Sequence, residues 1–310
     1  VLTYSIRVPA TSANLGPGFD ALGLALSTYN RFYVHEAEKT SVIGCDPQYA
    51  GPSNLFLVAF REACSRLGTN TPEIDLEIDA TIPLARGLGS SAAMSVAGAA
   101  AAILLRGDVK NQERKGNFSL AEKRFILDAA AAMEGHPDNA VPAVFGGFCV
   151  SSARPGGCIF SRCEVPAEWR FHALVPPFEL STADARAALP KLVPLADAAF
   201  NAGGAALMAL AFARNDPGLI RDACEDRLHQ PYRKHLIPGY AKVTEACSRL
   251  GARGVWLSGA GPTVMALTSS RREDEEFRKG IDPVLESMEE GLWRRISLQA
   301  DLHGVSCMAD

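Results

Sequence analysis

Strand-like and helix-like segments follow one another along these 310 residues without a regular βαβ rhythm, which predicts the α+β class. Three stretches carry that reading. Ile74–Ile82 alternates apolar and polar residues, as a half-buried strand does. Ser90 to about Leu105 and Ala121–Met133 are Ala-rich blocks of helical length. Gly254–Leu267 reads as strand, glycine turn, strand.

Taken in order, Tyr4–Val8 alternates and meets Pro9, which predicts a strand, and Thr11–Gly18 is a glycine and proline loop. Phe19–Leu26 resumes an apolar pattern and Arg31–Glu36 is a further strand. Leu55, Val58, Ala59 and Ala63 share one face of a helix over Leu55–Leu67, with Ser53 or Asn54 as its cap. Gly107–Ser119 is polar and charged, an expected exposed loop. The helix over Ala121–Met133 stops at Gly135 and Pro137. Val144–Val150 and Phe171–Val175 read as strands, and Asp184–Leu189, Ala196–Arg214, Leu219–Leu228 and Tyr240–Leu250 as helices. The last forty residues, opening on charged Arg271–Arg278, are the least legible. A boundary near residue 165 would divide the chain into units 1–165 and 166–310.

Composition is that of a globular protein, 47% hydrophobic and 21% charged. A net charge of −4 leaves no basic footprint for nucleic acid, so none is expected as a partner. The eight cysteines form no C-x-x-C pair and read as small buried thiols in a reducing compartment. The six histidines show no metal-ligand spacing. No targeting segment is visible at the start of the chain. The most apolar stretch, Ala92 to Leu105, is fourteen residues, too short for a bilayer. A cytoplasmic protein without a membrane partner is expected.

The most informative segment is Ile82-Pro-Leu-Ala-Arg-Gly-Leu-Gly-Ser-Ser-Ala-Ala93. It leaves a strand, turns on Gly87 and Gly89, presents the Ser90 and Ser91 hydroxyls and enters a helix. Free N–H groups and the positive end of a helix dipole then form an anion site, which a polyphosphate would suit. No Lys follows the glycines, so this is not the common G-x-x-x-x-G-K-[ST] loop.

Two more glycine-rich segments, Pro9–Asp20 and Leu257–Thr263, complete a pattern that resembles the GHMP kinases, the small-molecule kinases that include galactokinase, homoserine kinase, mevalonate kinase and phosphomevalonate kinase. Pro9-Ala-Thr-Ser-Ala-Asn-Leu-Gly-Pro-Gly-Phe-Asp20, Glu134-Gly-His-Pro-Asp-Asn139, Leu180-Ser-Thr-Ala-Asp-Ala-Arg186 and Gln230-Pro-Tyr-Arg-Lys-His-Leu-Ile-Pro-Gly239 resemble its homoserine kinase branch in particular. The resemblance implies a ribosomal protein S5 domain 2-like N-terminal domain that binds ATP, with a left-handed crossover, joined to a ferredoxin-like C-terminal domain. It further implies ATP and L-homoserine as substrates, Mg²⁺ as cofactor, a step in threonine synthesis from aspartate, and a homodimer as one possible assembly.

Under that resemblance the nucleotide site comprises Pro83, Leu84, Ala85, Arg86, Gly87, Leu88, Gly89, Ser90, Ser91, Ala92 and Ala93, with Asn54 against the adenine. Ser91 is expected to share Mg²⁺ with Asp128, eleven residues before Asn139, or with Glu134. The two carboxylates stand about 120° apart on an ideal helix, and Asp128 is the favoured ligand. A substrate carboxylate calls for Arg, whose planar fork matches it, and Arg186 and Arg233 are assigned to it. Asp20 and Asn14 suit the ammonium, Asn139 and His136 the reacting hydroxyl, and Thr182 the pocket wall. Asn139 and Arg186 are the expected catalytic residues. Related mevalonate and galactose kinases carry an Asp base where Asn139 stands. An amide cannot accept the proton, so catalysis by positioning and charge stabilisation is expected. Ser258-Gly-Ala-Gly261 reads as support for the cleft, and His229, His235 and the tryptophans have no expected role.

Overall fold

A computed structural model describes residues 2–106, 117–289 and 291–309, and there the chain builds two sheets. The first contains β1 (Tyr4–Ala13), β2 (Leu22–Glu36), β3 (Ser41–Ile43), β4 (Ile74–Ala80), β5 (Phe148–Arg154), β6 (Gly157–Cys163) and β11 (Ser306–Ala309), with the path β11-β1-β2-β4-β3 and β5 branching from β2 to β6. The second holds β7 (Arg170–Val175), β8 (Gly254–Leu257), β9 (Val264–Thr268) and β10 (Arg294–Leu298) in the order β10-β7-β9-β8, every pair antiparallel. Helices lie between β7 and β8 and between β9 and β10, the βαββαβ arrangement of ferredoxin-like domains. The chain passes between sheets after Cys163, and β11 returns to pair with β1.

Three helices pack on the first sheet: α1 (Leu55–Leu67), α2 (Ser90–Leu104) and α3 (Leu120–Glu134). Helix α2 is buried from Ala92 onward apart from Met94, so it needs no polar face. Its alanines let α1 approach closely, and a Cβ at Gly98 would enter the Phe56 carbonyl. Asn54 caps α1 by accepting from Phe56 N, and Gly68 ends it in the left-handed conformation. Ser119 and Glu122 form a reciprocal capping box on α3, and Gly135 closes it. The short α4 (Ala140–Phe145) follows at once.

Between β7 and β8 run α5 (Thr182–Ala187), α6 (Leu195–Arg214), α7 (Pro217–Ala223), α8 (Gln230–Arg233) and α9 (Tyr240–Arg249), and α10 (Arg271–Glu286) precedes β10. The helix expected to reach Leu228 therefore stops at Ala223, and the segment beyond it serves the site described below. Strand β1 continues through Pro9 to Ala13, because a register shift between Pro9 and Ala10 absorbs the missing amide. The two strands expected at 19–26 and 31–36 are one, β2, which pairs with β5 at its start and β4 at its end. The loop expected at 107–119 lies mostly outside the described residues.

Among the described residues α6 is the one helix long and apolar enough to cross a membrane by length and composition, and it exceeds the fourteen-residue stretch singled out in the sequence. One face packs inward through Met208, Ala211 and Phe212, the last stacked on Phe148 at 4.0 Å. Leu195, Leu207 and Leu210 face outward. Six of the eight cysteines are buried.

Candidate functional site

The three glycine-rich segments meet at one end of the first sheet. Thr11 N donates to Leu88 O at 3.1 Å, and Gly259 N donates to Ala13 O at 3.1 Å. Ser258 Oγ donates to Gly87 O at 2.6 Å and lies 2.9 Å from Ser12 Oγ, which also accepts from Trp256 Nε1 at 3.1 Å. Gly87 and Gly89 are both left-handed, with φ of 74° and 72°. A Cβ at Gly87 would enter the Ser258 carbonyl, and one at Gly89 the Thr11 hydroxyl. Glycine is required at both positions by conformation and by space.

Gly89 is the N-cap of α2 and supplies no side-chain cap. Ala93 N is used by Gly89 O, while the N–H groups of Ser90, Ser91 and Ala92 have no partner within the helix. They open on a cavity of about 1080 Å³ lined by Gly87, Gly89, Ser90, Ser91 and Ala92. Several N–H groups and a dipole that contributes roughly 0.3–1 kcal/mol per charge, or about 2 when partly buried, make this the anion-binding end. Away from the loop the wall becomes apolar, with Tyr49, Ile78, Ile82 and Met94, a lining suited to a flat heterocycle.

Other residues expected in the nucleotide site take different places. Leu84, Ala85 and Arg86 line the cavity, whereas Pro83, Leu88 and Ala93 do not, and Leu88 and Ala93 belong to the hydrophobic core. Arg86 donates to the Pro176 and Pro177 carbonyls and pairs with Glu179 at 3.4 Å, so it braces the second domain against the loop. Asn54 lines the cavity, but its Oδ1 accepts from Phe56 N and its Nδ2 donates to Tyr49 O. It positions Tyr49, which the sequence reading missed.

The carboxylate beside the anion loop is Glu134. Its Oε1 accepts from Ser91 Oγ at 2.7 Å and from Ser95 Oγ at 3.1 Å. Asp128, the favoured candidate, does not line the cavity, and its Oδ1 is the near neighbour of Gly157 in the β5–β6 hairpin. Helix α3 runs through both residues, so the angular separation of the two positions sends them to different sides. This corrects the expectation. A hydroxyl and a carboxylate at a helix N-terminus are the oxygen donors a hard divalent cation takes.

The opposite end of the cavity is polar and carries both signs of charge. Asn14, Asp20, His136, Asp138, Asn139, Thr182, Arg186 and Arg233 all line it. Asp20 and Arg186 pair directly, with Arg186 Nη2 2.9 Å from Oδ1 and Nη1 3.4 Å from Oδ2. Asn14 accepts from Asp20 N and donates to Gly259 O, so it shapes the loop that holds Asp20. His136 Nδ1 is 2.5 Å from the buried Asp138 carboxylate, and this bond raises the imidazole above its ordinary pKa. Asn139 Oδ1 accepts from Thr11 Oγ1 at 2.7 Å, and its Nδ2 donates to Asp138 Oδ1 at 3.5 Å. Thr11 was not foreseen, although it stands in the first glycine segment.

Arg233 is 2% exposed. Its Nε donates to Ala185 O at 3.1 Å and its Nη1 to Gly259 O at 3.0 Å. Burial and the nearby Arg186 charge lower its pKa to about 10, so it stays charged at neutral pH. Phe19 lies against both guanidinium groups, 5.8 Å from Arg186 and 5.3 Å from Arg233. Two guanidinium groups, two carboxylates and an imidazole in one pocket match a small molecule that carries both charges.

Known proteins share this architecture. The family described as GHMP kinases N terminal domain matches residues 54–147, and GHMP kinases C terminal matches residues 208–282. A homoserine kinase of Clostridium botulinum (strain Kyoto / Type A2) is 41% identical over 300 residues, which is 96% of either chain. The crystal structure of homoserine kinase from Cytophaga hutchinsonii superposes with a TM-score of 0.82 at 26% identity, covering 99% of this chain and 97% of that one. The mevalonate kinase of L. major, crystallised with R-mevalonate, reaches 0.66 at 16% identity over 97% of this chain and 95% of its own, a likeness of fold.

Proposed function

The chain belongs to the GHMP kinases and, within them, to the homoserine kinases, and on that premise we propose that it transfers the γ-phosphoryl group of ATP to the side-chain hydroxyl of L-homoserine, giving ADP and O-phospho-L-homoserine for threonine synthesis. One observation carries this reading. A single cleft joins the open amides of α2 to a pocket furnished with Asp20, Arg186 and Arg233.

Phosphoryl transfer asks the protein for alignment and charge neutralisation rather than covalent chemistry. The backbone around Gly87–Ala92 takes the phosphates. Ser91 and Glu134, already 2.7 Å apart, would hold Mg²⁺, which when bound neutralises charge on the phosphate oxygens. The substrate carboxylate displaces Asp20 from Arg186 and also meets Arg233, while the freed Asp20 takes the ammonium. This exchange of partners leaves the net charge of the pocket unchanged. His136 and the Asn139 amide then face the hydroxyl end.

Neither Asn139 nor Asp138 is a free base. The Asn139 oxygen is occupied by Thr11, and the Asp138 carboxylate is 2% exposed and committed to His136 Nδ1 and to Asn139 N. The hydroxyl proton leaves to the γ-phosphate or to solvent.

Assays of ATP turnover with L-homoserine, mevalonate, galactose and shikimate should show activity with homoserine only. Arg186→Ala should lower kcat/KM for homoserine roughly ten- to a few-hundredfold and leave the KM for ATP within about twofold. Equal losses for both substrates would contradict the assignment of Arg186.

The pH dependence of turnover tests the absence of a base. Asn139→Ala should lower kcat without changing the shape of the profile. A sharp acid limb in the wild type that Asp138→Asn removes would overturn this mechanism.

Titration with Mg²⁺ separates the two acidic candidates. Glu134→Gln should raise the Mg²⁺ concentration for half-maximal activity roughly tenfold or more, and Asp128→Asn should leave it near the wild-type value. The reverse pattern would restore Asp128 as the ligand.

A further inference from the structure

His229 is fully buried, received no role from the sequence, and lies between two parts of the amino-acid pocket. Its ring stacks on Phe19 at 5.3 Å. Nε2 is 2.8 Å from Gly16 O and Nδ1 is 3.3 Å from Arg233 Nη1. These partners decide the tautomer. A carbonyl can only accept, so Nε2 carries the proton, and a guanidinium can only donate, so Nδ1 is the bare acceptor. The charged groups around the ring are Asp226, Arg233 and Asp20, and burial outweighs the two carboxylates and holds the imidazole below its ordinary pKa. The neutral form that both bonds require is therefore the stable one.

The backbone beneath the ring is fixed with equal care. The Asp226 carboxylate accepts from the amides of Leu228, His229 and Gln230 at 3.0, 3.0 and 2.6 Å. It also accepts from Asn201 Nδ2 at 2.7 Å, and that nitrogen donates to Pro17 O at 3.1 Å. Gln230 Oε1 accepts from Leu257 N at 2.7 Å. The first glycine loop, the strand before the third and the start of α8 are thus tied at His229. Of the Arg233 donors, Nε and Nη1 are spent on Ala185 O, Gly259 O and His229, and Nη2 is the edge these partners leave over.

We propose that His229 is a positioning residue, the neutral acceptor that orients the Arg233 guanidinium and registers it against the Gly16 carbonyl, so that the free edge of Arg233 is set for the substrate carboxylate. This rests on the homoserine reading of the same pocket. It goes beyond that reading by giving a side chain outside the substrate contacts control over affinity for the amino acid.

Three substitutions separate the two bonds. Phenylalanine keeps the ring stacked on Phe19 and makes neither bond. Glutamine can reach Gly16 O with a donor but places no acceptor at the Nδ1 position. Asparagine puts an oxygen near that position and no donor at Nε2. His229→Phe and His229→Gln should raise the KM for homoserine roughly ten- to a hundredfold, with kcat and the KM for ATP within about threefold of wild type. His229→Asn should recover most of the loss. Crystals of His229→Phe without substrate should show the Arg233 guanidinium turned from its wild-type position. An unchanged KM in the Phe and Gln variants, or an unmoved Arg233, would overturn the proposal. So would parallel loss of ATP and homoserine binding with a lowered Tm in all three variants, which a packing role would give. A wild-type enzyme that ignores homoserine would instead fail the substrate reading, and the position of Arg233 would still decide the role of His229.

Discussion

The approach of the Gly87 backbone to the Ser258 carbonyl is the contact on which the site depends. Any side chain at Gly87 would occupy the space of that carbonyl, and the left-handed φ excludes most residues in any case. The contact brings the phosphate loop of the first domain onto the β8–β9 turn of the second. Ser12 and Ser258 then close the junction in a cluster that Trp256 seals from behind. Because these bonds are mostly between backbone groups and small hydroxyls, the loops hold one shape and leave the amides of α2 open.

Electrostatics follow from that geometry. The chain has a net charge of −4 and still offers an anion site, because the positive potential comes from oriented N–H groups and not from lysines. The amino-acid end works differently. Its charges are paired with each other, as in Asp20 with Arg186, or held by neutral acceptors, as in Arg233 with two carbonyls and His229. A zwitterion can enter such a pocket by exchanging partners, without leaving a charge stranded.

The parts of this architecture set by local chemistry were legible in the sequence. The caps at Asn54 and Gly135, the glycine turn before α2 and the strand pair around Ser258-Gly-Ala-Gly261 all arise from neighbouring residues. Long-range features were not. Pro9 suggested a strand end, and the register shift that accommodates it involves β2. The return of β11 to β1 and the hairpin at β6 have no strong periodicity to announce them. Asp128 was favoured over Glu134 on motif spacing alone. The rotation of α3 turns Glu134 and not Asp128 toward the cavity, and it is set by packing against α2 that one helix cannot reveal by itself. Thr11 and His229 act through partners more than a hundred residues away in sequence, at Asn139 and Gly16, so no local pattern could single them out.

The most direct test is a crystal structure of the protein with a non-hydrolysable ATP analogue, Mg²⁺ and L-homoserine. The triphosphate is predicted on the amides of Gly89–Ala92, with the amino-acid carboxylate between Arg186 and Arg233 and the hydroxyl turned toward the γ-phosphate. Nucleotide bound away from α2, or homoserine found outside the pocket formed by Asp20 and Arg233, would contradict the account.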